Sequence, residues 1–76
     1  MQEWMEYITI NPGIRFGKPT IKGTRITVKD VLGWVASGMS FEDIKYDFPE
    51  LNDDQIRAAL SFAQHREEIT EIIVTT

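Results

Sequence analysis

Ile26-Thr27-Val28-Lys29-Asp30-Val31 sets an apolar residue, a hydroxyl side chain, two intervening residues, a carboxylate and a second apolar residue in succession. Met39-Ser40-Phe41-Glu42-Asp43-Ile44 repeats the arrangement, and Leu51-Asn52-Asp53-Asp54-Gln55-Ile56 does so with the amides Asn and Gln in the two polar places. Each reads as a helix start. The Thr, Ser or Asn oxygen accepts from backbone N–H groups that lack a partner in the first turn, and the Asp or Gln three residues on reaches back. The two apolar residues close over the entry. Asp is shorter than the usual Glu, so the reciprocal bond is more demanding in the first two starts.

Behind the starts, apolar residues recur at helical spacing: Val28, Val31, Leu32 and Val35; Phe41, Ile44 and Phe48; Ile56, Ala59, Leu60 and Ala63. Gly38 suits the left-handed residue that closes a helix, and Pro49 disfavours a helical residue before it. The third segment has no breaker until past Glu68. Helices are therefore predicted over residues 28–37, 41–48 and 53–68, with three stripes facing one core.

Upstream, residues 7–10 alternate and favour a strand, and Asn11-Pro12-Gly13 makes a turn. Residues 21–26, around Lys22-Gly23, form a short hairpin or an extended arm. Residues 7–27 are thus expected as a β-arm. Downstream, Ile72, Ile73 and Val74 give residues 69–76 a β-branched character. That tail is expected either as a strand pairing with residues 7–10 of its own or another chain, or as a segment that orders on a partner. The expected fold is mainly α: a single domain with a three-helix bundle, a short N-terminal β-strand or hairpin arm, and a candidate C-terminal strand.

Seventy-six residues leave room for one core. The absence of cysteine removes disulfides, thiolate zinc sites and a Cys nucleophile. The first ten residues are too acidic, and too short in apolar run, for a secretory signal. No stretch of roughly 18 apolar residues would span a membrane. The expectation is a cytoplasmic protein with no membrane partner. A chain this small with neither disulfide nor metal is usually stabilised by association. Its hydrophobic fraction of 42% exceeds what so small a monomer readily hides, so a homodimer, a hetero-complex or both are expected.

The net charge of −4 opposes nucleic-acid binding, but its distribution does not. Residues 11–29 carry Arg15, Lys18, Lys22, Arg25 and Lys29 with no acid, while residues 30–56 carry seven acids against Lys45. The basic stretch reads as a phosphate-contacting arm. It reads equally as a solvated loop whose Arg25 pairs with a carboxylate of the acidic half.

Gly17-Lys18-Pro19-Thr20-Ile21-Lys22-Gly23-Thr24-Arg25-Ile26-Thr27-Val28, then Gly38-Met39-Ser40, Phe48-Pro49-Glu50-Leu51 and Ile56-Arg57-Ala58-Ala59-Leu60, resemble the prokaryotic domain-of-unknown-function family 433. The match extends from Tyr7 to about Gln64. The resemblance implies a homeodomain-like, helix-turn-helix fold and a VapB-type antitoxin role in a toxin–antitoxin pair, with a PIN-like ribonuclease toxin as partner. Under that antitoxin role the basic arm, doubled by a dimer, is expected to hold the operon's own DNA, giving DNA binding and transcription regulation. Arg25 lies in the family motif and is the leading candidate among the cations, although a structural ion pair would also explain it.

In such a fold the last helix normally enters the major groove. Here it opens with Asp53-Asp54, the wrong charge for phosphates, leaving Gln55, Arg57, Ser61 and Gln64 to reach bases. The acids Glu42, Asp43, Asp47, Asp53 and Asp54 either mimic a phosphate backbone toward a toxin or form a solvated face. Trp4, Tyr7, Trp34, Ile72, Ile73 and Val74 are candidate partner contacts, Trp4 above all because little of its own chain is expected to cover it. Gly17-Lys18 is a poor phosphate loop, since Gly13 is one residue too near and Pro19 lacks an N–H. His65 has no second ligand or nucleophile to work with, and its plain reading is an exposed or helix-terminal residue. No cofactor, metal, small-molecule substrate or catalytic activity is expected. The competing reading is a protein-interaction or oligomerisation adaptor without a nucleic-acid role.

Overall fold

All three predicted starts close reciprocally in the computed structural model, which describes residues 3–75, with side chains described for residues 4–66. Thr27 Oγ1 accepts from the Asp30 amide at 2.9 Å while Asp30 accepts from the Thr27 amide at 3.1 Å. Ser40 and Asp43 make the same pair at 3.1 and 3.0 Å. Asn52 and Gln55 make it at 2.9 and 2.8 Å. These caps open α1 (Val28–Ala36), α2 (Phe41–Asp47) and α3 (Asp53–Thr75). The shorter Asp reaches back after all.

α1 closes as Gly38 requires. Its φ is +100°; its amide donates to the Val35 carbonyl at 3.0 Å, and Met39 donates to Trp34 at 3.1 Å. This double closure satisfies carbonyls that a helix end otherwise leaves open. α2 stops where Phe48 leaves the helical region, at φ −129° and ψ 76°, ahead of Pro49.

α3 departs from expectation. It runs on through Thr75, so the candidate C-terminal strand is absent and residues 69–75 are helical. With no Gly or Pro after Asp53, nothing interrupts propagation, and extending an existing helix costs far less than starting one. The β-branched residues are poor helix formers by only tenths of a kcal/mol each.

The arm pairs β1 (Ile8–Thr9) antiparallel with β2 (Thr20–Ile21), Ile8 opposite Ile21. A further antiparallel bridge joins Thr20 to Thr27, and the Ile21 amide donates to Ile26 across the Lys22-Gly23 turn at 2.9 Å. This arm is not a free limb. Ile21 and Thr20 are fully buried, and Ile8 and Thr27 nearly so. A short turn at Glu3–Glu6 packs on α3.

The core gathers Ile8 and Ile21 from the arm, Val28 and Val31 from α1, Ile44 from α2, Leu51, and Ile56, Ala58, Ala59 and Phe62 from α3. Leu32, expected inside, is exposed. It lies one residue past Val31 and therefore turns about 100° away from it on the helix. Phe41, Phe48, Leu60 and Ala63 are only half-buried around the core's edge.

Candidate nucleic-acid interface

Residues 11–19 carry the chain from β1 to β2. Asn11 Oδ1 accepts from the Gly13 amide at 2.8 Å and the Asn11 carbonyl accepts from Ile14 at 2.9 Å, a side-chain turn that Asn makes readily. Three left-handed residues follow: Arg15 (φ 49°), Phe16 (φ 59°, ψ 34°) and Gly17 (φ 81°). Glycine enters this region freely, whereas each of the other two costs about 1–2 kcal/mol.

Local bonds hold the loop there. Gly17 donates to Ile14 at 3.1 Å and Lys18 to Arg15 at 3.2 Å. The Arg15 guanidinium donates to the Arg25 carbonyl at 2.9 Å and stands 3.5 Å from the Asp30 carboxylate. Because Asp30 also caps α1, the loop is fastened to the start of a helix.

These bonds sort the predicted cations. The structural ion pair considered for Arg25 belongs to Arg15; Arg25 offers its carbonyl and leaves its side chain exposed. Lys22 Nζ donates to the Met5 carbonyl at 3.2 Å. Arg57 is paired with Asp54 on its own helix at 3.3 Å, an exposed contact of small energetic weight. Among the described residues, the side chains of Lys18, Arg25 and Lys29 are exposed and unpartnered. Lys18 and Lys29 also rim a groove of about 380 Å³ floored by Val28, Leu32 and Phe62, with Arg66 over the Phe62 ring at 5.7 Å.

The acidic half is largely engaged with itself. Lys45 Nζ lies 2.8 Å from both Glu42 and Asp53, bridging α2 to the start of α3. The bond to Asp53, and secondarily that to Glu42, raises the Lys45 ammonium above its ordinary value. The same Lys45 bond holds the Asp53 carboxyl below its own. Asp43 serves its cap and Asp54 its arginine. Among the described residues no group of three or more His, Cys, Asp or Glu could hold a metal ion, and no helix is long and apolar enough to cross a membrane.

The aromatic candidates are better covered than expected. Trp4 is half-buried, edge-on to Phe62 at 4.8 Å and tilted against His65 at 5.5 Å. That cover comes from the middle of α3, through Phe62 and His65, so His65 is a packed mid-helix residue. Trp34 stacks on Phe48 at 4.3 Å and 17°. Tyr7 packs against the core. Ile72, Ile73 and Val74 lie on α3, but their side chains are outside the described residues.

Two residues escaped the sequence reading. Phe16 is 96% exposed at the left-handed turn, and Tyr46 is 88% exposed on α2. Phe16 could have been noticed as the one aromatic in an acid-free stretch flanked by Arg15 and Lys18.

The family model for "Protein of unknown function (DUF433)" matches residues 8–63, the arm and all of the bundle up to mid-α3. The chain belongs to the DUF433 family. A curated relative, the uncharacterized protein y4eO of Sinorhizobium fredii, is 39% identical over 59 residues, which are 78% of this chain and 27% of that protein. The chain thus spans about a quarter of that relative's length. A crystal structure of a DUF433 member protein from Anabaena variabilis has a TM-score of 0.75 at 23% identity, covering 91% of this chain and 68% of that one. That likeness is one of fold.

Proposed function

We propose that this DUF433 chain acts by binding alone, as the antitoxin-type component of a bacterial toxin–antitoxin pair. In this reading it works in the cytoplasm, without catalysis, and holds a PIN-like ribonuclease toxin. As a dimer it grips its own operator DNA through the face built by the arm and the start of α1. The observation that supports the DNA half is the sorting of cations. Arg15 is consumed in fastening the loop, which leaves Lys18, Arg25 and Lys29 outward, exposed and unpartnered, in a stretch without acids. Cations presented this way meet a phosphate backbone at no cost in broken ion pairs. The entry of α3 into the major groove finds less support, since Asp54 occupies Arg57.

Titrating operator DNA at several salt concentrations tests this half. Wild type should weaken steeply with salt, and replacing Lys18, Arg25 and Lys29 by Gln should flatten the log–log slope by about 0.9 for each phosphate no longer neutralised. Binding unaffected by the triple replacement would reject this face. Mixing the chain with the product of the neighbouring gene and following RNA cleavage tests the other half; undiminished cleavage at excess would reject it.

A second reading, the protein-interaction adaptor, is favoured by one observation. Tyr46 stands 88% exposed on α2 among Glu42, Asp43 and Asp47, an aromatic anchor of the kind enriched in interfaces. An adaptor would tolerate the triple Gln replacement and lose its partner on Tyr46→Ala.

A further inference from the structure

Phe16 gives the fold nothing that folding rewards. Its ring is 96% exposed, so it buries no apolar surface, and its backbone sits at φ 59° and ψ 34°, where a side chain is strained. Glycine at this position would relieve both liabilities, and the next residue is already Gly17 with φ 81°. Strain of this kind persists where the surroundings over-determine it. Here the Asn11 turn, the Arg15 bond to the Arg25 carbonyl and the Asp30 carboxylate do so. The result is a rigid mount holding a bare aromatic ring in an acid-free stretch, two residues from the unpartnered Lys18. Arg15 joins the loop to the backbone of Arg25, another unpartnered cation.

We infer that Phe16 is a base-contacting residue: its ring stacks on, or wedges against, a nucleobase while Lys18 and Arg25 hold the flanking phosphates. The inference rests on the DNA reading above and deepens it. A nucleic acid fits better than a protein pocket because polyanion attraction and ring stacking are the two interactions the loop offers together. Stacking is also tolerant of base identity. A base reaches the ring either from a single strand or from a duplex kinked open by an apolar wedge, and the two sources are separable.

The full-length chain is titrated with its own promoter duplex and, separately, with one strand of it, at several salt concentrations. The proteins are wild type, Phe16→Gly, Phe16→Ala and Phe16→Trp. Phe16→Gly and Phe16→Ala should weaken binding roughly tenfold, the loss of one stacked base, with the salt slope unchanged because no cation is removed. Phe16→Trp should bind at least as well as wild type. Phe16→Gly should also melt at a higher temperature, so its weaker binding cannot come from unfolding. A wedge into duplex predicts the loss on the duplex arm, and a stacking platform predicts it on the single strand.

Equal affinity of wild type and Phe16→Gly on both probes, with a normal salt slope, would overturn this inference and leave the cationic face standing. So would a Phe16→Ala variant that loses a protein partner but not nucleic acid. No binding by wild type to either probe would remove the DNA reading and this inference with it.

Discussion

Three turns among the described residues use left-handed backbone, at Gly23, at Gly38 and at Arg15 to Gly17, and the last two meet the need differently. After α1 the requirement falls on Gly38, which stands in open space at φ +100° and closes the helix with two backbone bonds. In the arm it falls on Arg15 and Phe16 before Gly17 is reached. The first turn is a solution that folding alone would select. The second keeps two strained residues, one of them a fully exposed aromatic, and recruits an arginine and a carboxylate to hold them. The turn after α1 thus follows what folding favours, and the turn in the arm does not.

This contrast depends first on whether the loop's base is part of the core. Ile21 is wholly buried, so Ile21→Ala should destabilise by about 2–5 kcal/mol in urea unfolding. A loss under about 1 kcal/mol would mean the arm is a loosely attached limb after all. Next comes the glycine turn: Gly38→Ala should cost about 1–2 kcal/mol from left-handed strain, with no clash to confuse the result. The strained turn should respond with the opposite sign. Phe16→Gly should gain about 0.5–1 kcal/mol, the relief of strain less the extra chain entropy of glycine. If both substitutions lower the melting temperature, the two turns are alike and the contrast fails.

A weaker response is expected at the joint between α2 and α3. Asp53 is held below its ordinary value, so its contribution is present near neutrality and fades as pH falls below about 4. Lys45 is held above its own, so its contribution is complete at neutrality and fades as pH rises past about 10. Lys45→Met should flatten the stability-against-pH curve at both ends. An unchanged profile from chemical denaturation across that range would show the bridge to be energetically idle.

What is readable in the chain alone follows from distance. The three caps depend on residues three apart, and Gly38 and Pro49 act on their own neighbours, so the helix starts and the first two ends are legible. The family motif points to the trihelical fold. The tail misleads because Ile72, Ile73 and Val74 favour strands one residue at a time, whereas a helix already under way continues unless something stops it. The fate of Trp4 is hidden for another reason: its cover comes from Phe62 and His65, far along the chain. The cationic arm is visible as a charge pattern, but its division is not. Whether Arg15 or Arg25 is tied up depends on which one meets Asp30 in space. Phe16 is easily passed over because neither Arg nor Phe announces a left-handed turn as glycine or asparagine does.

The two tryptophans sit at different joints: Trp4 on the seat of the N-terminal turn against α3, Trp34 on Phe48 where α1 meets the end of α2. The molecule therefore carries a separate optical reporter for each half. Replacing either one with phenylalanine leaves an intrinsic emission signal that follows a single joint, so the two variants side by side time the undocking of the N-terminal turn and the melting of the bundle independently.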